Sequence, residues 1–171
     1  MSVHIRIATI EDIPDISYLG KTTFDQSFGY LFKDKQDLSD YLDRTFSEEK
    51  LRSSIAKPNN VFWIVFYEQK AVGYAKIQLN TPSEFVKSDN ACKLQKLYLL
   101  QDYLSKGIGG QLQQLILEKA KESGDAIWLS VLKENTKAVA FYQRDGYKIA
   151  GEHPFSIGKE DFQFWVMSRE L

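Results

Sequence analysis

A single cysteine in 171 residues, Cys92, leaves no partner for an internal disulfide, so no oxidised framework holds this chain. Histidine is nearly as scarce: His4 and His153 stand far apart, without the spacing of metal ligands. An excess of either charge is also missing. The 22 basic and 23 acidic side chains are scattered and leave a net charge of -1, which excludes a protein built mainly to grip a nucleic-acid backbone. Long apolar runs are absent too. The longest, Val61-Phe62-Trp63-Ile64-Val65-Phe66-Tyr67, is far shorter than the roughly 20 residues that cross a bilayer. The opening Met1-Ser2-Val3-His4-Ile5-Arg6 has no apolar stretch of a secretory kind, so the cytoplasm is the expected compartment, with no membrane partner. Internal repeats, low-complexity segments and linkers are not found.

What is present is enough apolar material, 43% of the chain, for one sizeable core, and 1–171 reads as a single domain. Alternation predicts a strand over 3–7. Thr9, Glu11 and Asp12 then supply a cap and first-turn acids for a helix that carries Ile13, Ile16, Leu19 and Thr23 at helical spacing. Two short helices are expected over 37–46 and 47–55, ended by Pro58-Asn59-Asn60. Residues 61–67 and 71–79 read as an antiparallel hairpin about a Glu68-Gln69-Lys70 turn. After a polar loop come a strand over 92–99, a helix over 108–122 stopped at Gly124, a strand over 126–132 and a helix over 135–144. Strands near 147–151 and 162–167 close the chain, joined by a loop holding His153, Pro154 and Gly158. This order implies an α/β (α+β) protein with a mixed sheet and helices on its faces.

Between the strand ending Leu97-Tyr98-Leu99 and the next helix lies Lys106-Gly107-Ile108-Gly109-Gly110. Glycines there let the main chain approach a pyrophosphate, and the free N–H groups of a helix start point at it. Such a turn is also a plain means of changing direction. A Walker loop is excluded because Gly109-Gly110-Gln111 lacks the Gly-Lys-Ser/Thr ending. A dinucleotide fingerprint would need glycine at Leu112, although Asp125 stands near the expected place of its ribose-binding acid.

A second segment, 135–147, accompanies the turn. Its Asn135, Ala138, Phe141, Tyr142, Gly146 and Tyr147, together with the strand 94–99 and Gly107-Ile108-Gly109, resemble the motifs of the GNAT superfamily of N-acetyltransferases. The resemblance covers nearly the whole chain and implies a GNAT-like, mostly antiparallel sheet of about seven strands with helices on both faces. More narrowly, Thr23-Phe24-Asp25-Gln26-Ser27-Phe28, the helix around Tyr41-Leu42 and Gly151-Glu152-His153-Pro154-Phe155 resemble bacterial spermine/spermidine acetyltransferases. Two positions depart from the family pattern. Leu104 stands where a Gln or Arg usually contacts the pyrophosphate, and Gln95 stands where a strand carboxylate is common, which removes one candidate base.

The resemblance implies acetyl-CoA as co-substrate and a small-molecule primary amine, with a polyamine as candidate, as acceptor. Main chain of Leu97, Tyr98 and Leu99 would pair with the pantetheine arm, and Ser105, Lys106, Gly107, Ile108, Gly109 and Gly110 would hold the pyrophosphate. Asn135 would bind the arm. Tyr142 would be the general acid for the departing thiolate, or simply an amphipathic core tyrosine. Phe24 and Phe28, with Tyr30 and Phe32, would shape the acceptor pocket or fill the core, and His153 is either an acceptor-side residue or a surface histidine. Cys92 reads as a buried filler more readily than as a nucleophile. Asp34, Asp37, Asp40 and Asp43 form an acidic series able to attract a polyamine, or else a solvated helix face. Acetyl-CoA binding without efficient transfer, in a sensor or partner module, is the rival reading, and either a monomer or a homodimer is compatible with the chain.

Overall fold

A computed structural model describes residues 2–171. Along the chain come β1 (Val3–Ile7), α1 (Ile13–Phe28), α2 (Lys35–Thr45), α3 (Glu48–Ile55), β2 (Asn60–Tyr67), β3 (Lys70–Gln78) and β4 (Ala91–Leu99). Then follow α4 (Ile108–Lys121), β5 (Ala126–Leu132), α5 (Thr136–Arg144), β6 (Lys148–Ile157) and β7 (Glu160–Glu170). The strands form one sheet in the order β1-β2-β3-β4-β5-β7-β6. Every neighbouring pair is antiparallel except β4 with β5. Helices flank this sheet, the arrangement that the element order implied. No helix among the described residues is long and apolar enough to cross a membrane.

The passage from β1 into α1 is fixed by one buried carboxylate. Asp12 accepts two hydrogen bonds from the Arg6 guanidinium and one from the Thr9 N–H, each of 2.8 Å. The Arg6 bonds first, and the Thr9 N–H after them, hold the Asp12 carboxyl below its usual range. Pro14 sits in the first turn of α1, where no N–H is needed, and Ile13, Ile16 and Leu19 enter the core at helical spacing. The β2–β3 hairpin turns at Glu68 and Gln69, both with positive φ, as a tight antiparallel connection requires.

The closing strands correct the expected loop. β6 runs on to Ile157, so His153 and Pro154 lie in a strand, and the turn is confined to Gly158 and Lys159. Proline is tolerated because β6 is the outer strand of the sheet, paired on one side only, with Pro154 opposite Gln163.

Candidate active site

The parallel pair β4–β5 is joined for only three residues, Ala91 to Lys93 against Ala126 to Trp128. Beyond Lys93 the two strands part. β4 continues as a partner of β3 up to Leu99, and β5 as a partner of β7 up to Leu132. Residues 94–99 therefore present an unpaired main-chain edge to the gap between them, and the N–H and C=O groups along such an edge seek a ligand. A bulge adds to the opening. Lys76 faces Lys96 and Ile77 faces Leu94, so Gln95 is an extra residue on β4. Its Oε1 is buried without a hydrogen-bond partner.

At the wide end of the gap the chain enters the glycine turn. Ser105 has φ of 64° and Gly107 of 77°, two left-handed residues within one short turn. The first N–H after Leu104 to find a backbone acceptor is that of Gln111, which donates to Gly107 O at 3.2 Å. A Cβ added at Gly107 or Gly110 would meet nothing within 4 Å. Open space thus lies beside unpaired donors at a helix start, as a bound diphosphate needs.

Tyr142 lies half-buried on α5, with its ring 5.4 Å from that of Tyr147 and 5.2 Å from that of Phe141. Burial pushes its phenol above the ordinary tyrosine value, and nearby Tyr98 adds to the shift. Asn135 caps α5, its side-chain oxygen accepting from Ala138 N–H at 3.3 Å. Farther along the sheet, Ser130 Oγ of β5 lies 2.9 Å from His153 Nε2 of β6, across the intervening strand β7. His153 Nδ1 lies 3.0 Å from Pro154 O, and a carbonyl only accepts. Nδ1 therefore donates, and in the neutral ring Nε2 accepts from the Ser130 hydroxyl. His153 also stacks on Phe164 at 5.3 Å.

Cross-strand register places Phe62, Lys76 and Lys96 on one face of the sheet, with Tyr74 and Tyr98 beside them. Phe46, at the end of α2, lies over that face, its ring 5.1 Å from the Lys96 ammonium and 6.2 Å from the Tyr98 ring. Phe24 and Phe32 are buried in this aromatic cluster and Phe28 packs at its edge, whereas Tyr30 points outward. Burial first, and the charges of Lys96, Lys57, Lys50 and Lys93 after it, push the Lys76 ammonium down to about 8. Burial likewise lowers Lys93 and Lys96. Sequence reasoning overlooked these lysines because positions 76, 93 and 96 share no local pattern.

The geometry bears on several readings of the sequence. Asp125 follows the far end of α4, whose 14 residues span about 21 Å from the glycine turn, and it receives the Ser88 hydroxyl. It cannot serve a dinucleotide bound at that turn. The acidic series meets partners of its own chain at the surface: Asp34 pairs with Lys159, Asp43 with Lys21, and Asp40 accepts from Gln36. Asp37 accepts from Lys159 N–H and packs where a Cβ on Gly158 would stand. Cys92 is buried and its thiol is raised by desolvation, the opposite of an activated nucleophile.

The model of the acetyltransferase (GNAT) family matches residues 26–147, more than two thirds of the sequence. The chain belongs to the GNAT acetyltransferase family. As a family member it is an N-acetyltransferase that draws its acetyl group from acetyl-CoA. An uncharacterised N-acetyltransferase of Lactobacillus delbrueckii subsp. lactis is 29% identical over 164 residues, covering 94% of this chain and 93% of its own. Among solved structures, the PaiA N-acetyltransferase of Thermoplasma acidophilum, in complex with coenzyme A, superposes with a TM-score of 0.79 at 20% identity over the whole of both chains. A ribosomal-protein-alanine N-acetyltransferase from Brucella melitensis gives 0.69 at 19% identity, covering 98% of this chain and 99% of that one. These two structures share the GNAT fold with this protein. The unpaired edge and the unpaired donors described above fit a ligand with an amide-bearing arm and a diphosphate.

Proposed function

We propose that this GNAT protein transfers acetyl directly to a primary amine, with Tyr142 as general acid. The observation that carries this reading is the continuity of the unpaired β4 edge with the donors of residues 105–110. Acetyl-CoA supplies the acyl group as a thioester. Main chain of Leu97, Tyr98 and Leu99 binds the arm as an added strand would, an N–H near Leu99 polarises the carbonyl, and residues 105–110 hold the diphosphate. Asn135 keeps the first turn of α5 in place and offers its side-chain amide to the arm. As the new N–C bond forms, the C–S bond breaks and the sulfur takes the Tyr142 proton. The raised phenol stays protonated through neutral pH, the state an acid must hold.

The acceptor must lose a proton before it attacks. Gln95 cannot take it, whereas the basic nitrogen of His153 is turned towards the Ser130 hydroxyl. We assign that proton to His153, relayed through Ser130, with the aromatic cluster of Phe24 and Phe28 bounding the acceptor side. A polyamine fits poorly here. It would bring several positive charges to a face that already holds Lys76, Lys93 and Lys96, and the acids at 34, 37, 40 and 43 are engaged elsewhere. The reaction belongs where acetyl-CoA is made and used, in the cytoplasm.

Thiol release from acetyl-CoA, followed across a panel of amines, tests the reading. Tyr142→Phe is expected to lower kcat by about 100-fold or more while the melting temperature holds. Full turnover by that variant would contradict the assigned acid.

A further inference from the structure

Lys76 and Lys96 stand directly opposite each other on neighbouring strands, an arrangement in which like charges are destabilising. Lys93 is close enough to lower Lys76 further, and Lys50 and Lys57 add to the same field. None of Lys76, Lys93 and Lys96 makes an ion pair among the described residues. Their ammonium groups lie instead over rings: Lys76 over Phe62 at 5.4 Å, Lys93 over Trp128 at 4.8 Å, and Lys96 over Phe46 and Tyr98 at 5.1 and 5.6 Å. Ring faces soften the burial of a cation but do not neutralise it. A surface lysine would simply turn to water. Here Lys93 and Lys96 are held on β4 along the parting edge, Lys93 at the last paired position and Lys96 beside the bulge, with Lys76 behind Lys96 on β3.

The bulge contributes the complementary need. Gln95 Oε1 is a buried acceptor lacking a donor, and its neighbour in sequence is Lys96. An N–H donor and an anion are therefore wanted within one residue of each other, at the edge where acetyl transfer takes place. We propose that the acceptor carries a carboxylate close to its reacting amine, the carboxylate held by Lys96 with Lys76 and Lys93, and the amine received by Gln95. This rests on the transferase reading above and narrows its acceptor to amino acids and acidic peptides. The lysines serve the chemistry twice: they hold the anion, and their positive field lowers the pKa of the acceptor's ammonium, easing its loss of a proton to His153.

The test compares amino acids with their decarboxylated amines, such as lysine with cadaverine and phenylalanine with phenethylamine, with spermidine alongside, by thiol release from acetyl-CoA. The amino acids are expected to exceed their amines in kcat/KM by about tenfold or more, the size of a charge-assisted contact. In Lys96→Met, which keeps the apolar stem, and separately in Lys76→Gln, that ratio should fall towards one. A dipeptide pair with acidic or neutral second residue shows whether the carboxylate arrives on a free amino acid or on a peptide; loss of either preference in the lysine variants supports the assignment. Amines or spermidine outperforming the acids, or a ratio untouched in variants that keep the wild-type melting temperature, would overturn it and leave the transferase reading standing. Acetyl-CoA raising the melting temperature while no acceptor of any kind is acetylated would instead remove that reading, and this one with it.

Discussion

Gly110 lies in the first turn of α4, where an alanine would ordinarily be the better helix residue, and open space surrounds the place its Cβ would occupy. Gly110→Ala is therefore expected to raise folding stability by about 0.5–1 kcal/mol. The same methyl group would intrude on the space proposed for the diphosphate, and acetyl-CoA affinity should then fall by about tenfold. Thermal melts and calorimetric titration read the two effects separately, and an unchanged affinity would show that the space has another use. The glycines of this turn, which leave open space beside Gly107 and Gly110, were legible in the sequence because missing side chains can be read there directly. Ser105 was not, since a left-handed serine looks like any other polar loop residue. Nor were Ser130 and His153 as a pair: they are 23 residues apart, and only the order of β5, β7 and β6 brings them within 2.9 Å.

At the scale of elements, helix starts and the β2–β3 hairpin were readable from caps and alternation, whereas β6 was cut short by its own proline. Pro154 signals a loop unless its strand is known to be an outer one, and strand order is not a local property. The bulge at Gln95 was hidden for the same reason, being defined only against β3. The junction between β1 and α1 yields a stability prediction. Asp12 is buried and its carboxyl is held below the usual range, chiefly by Arg6, so its contribution is present above the unfolded carboxylate value of about 3.9 and is lost as pH falls through the folded one. Asp12→Asn should cost about 1–3 kcal/mol at pH 7. The gap between variant and wild type should narrow below about pH 4; urea melts at both pH values check it, and a constant gap would deny the linkage.

For the molecule as a whole, a net charge of -1 conceals a local excess of lysine on one face of the sheet. Composition could exclude a nucleic-acid binder but could not show that residues 76, 93 and 96 converge. The parting of β4 and β5 likewise belongs to topology: a three-residue parallel pairing between two antiparallel halves leaves an edge unpaired in the middle of the sheet. The proposed function depends on that edge and on the donors beyond it. Amide chemical shifts of the 15N-labelled protein, followed as acetyl-CoA is added, examine both at once. The expected result is that the largest changes fall on residues 94–99 and 105–110. If those amides stay still while others move, acetyl-CoA binds elsewhere and the site assigned to it is wrong.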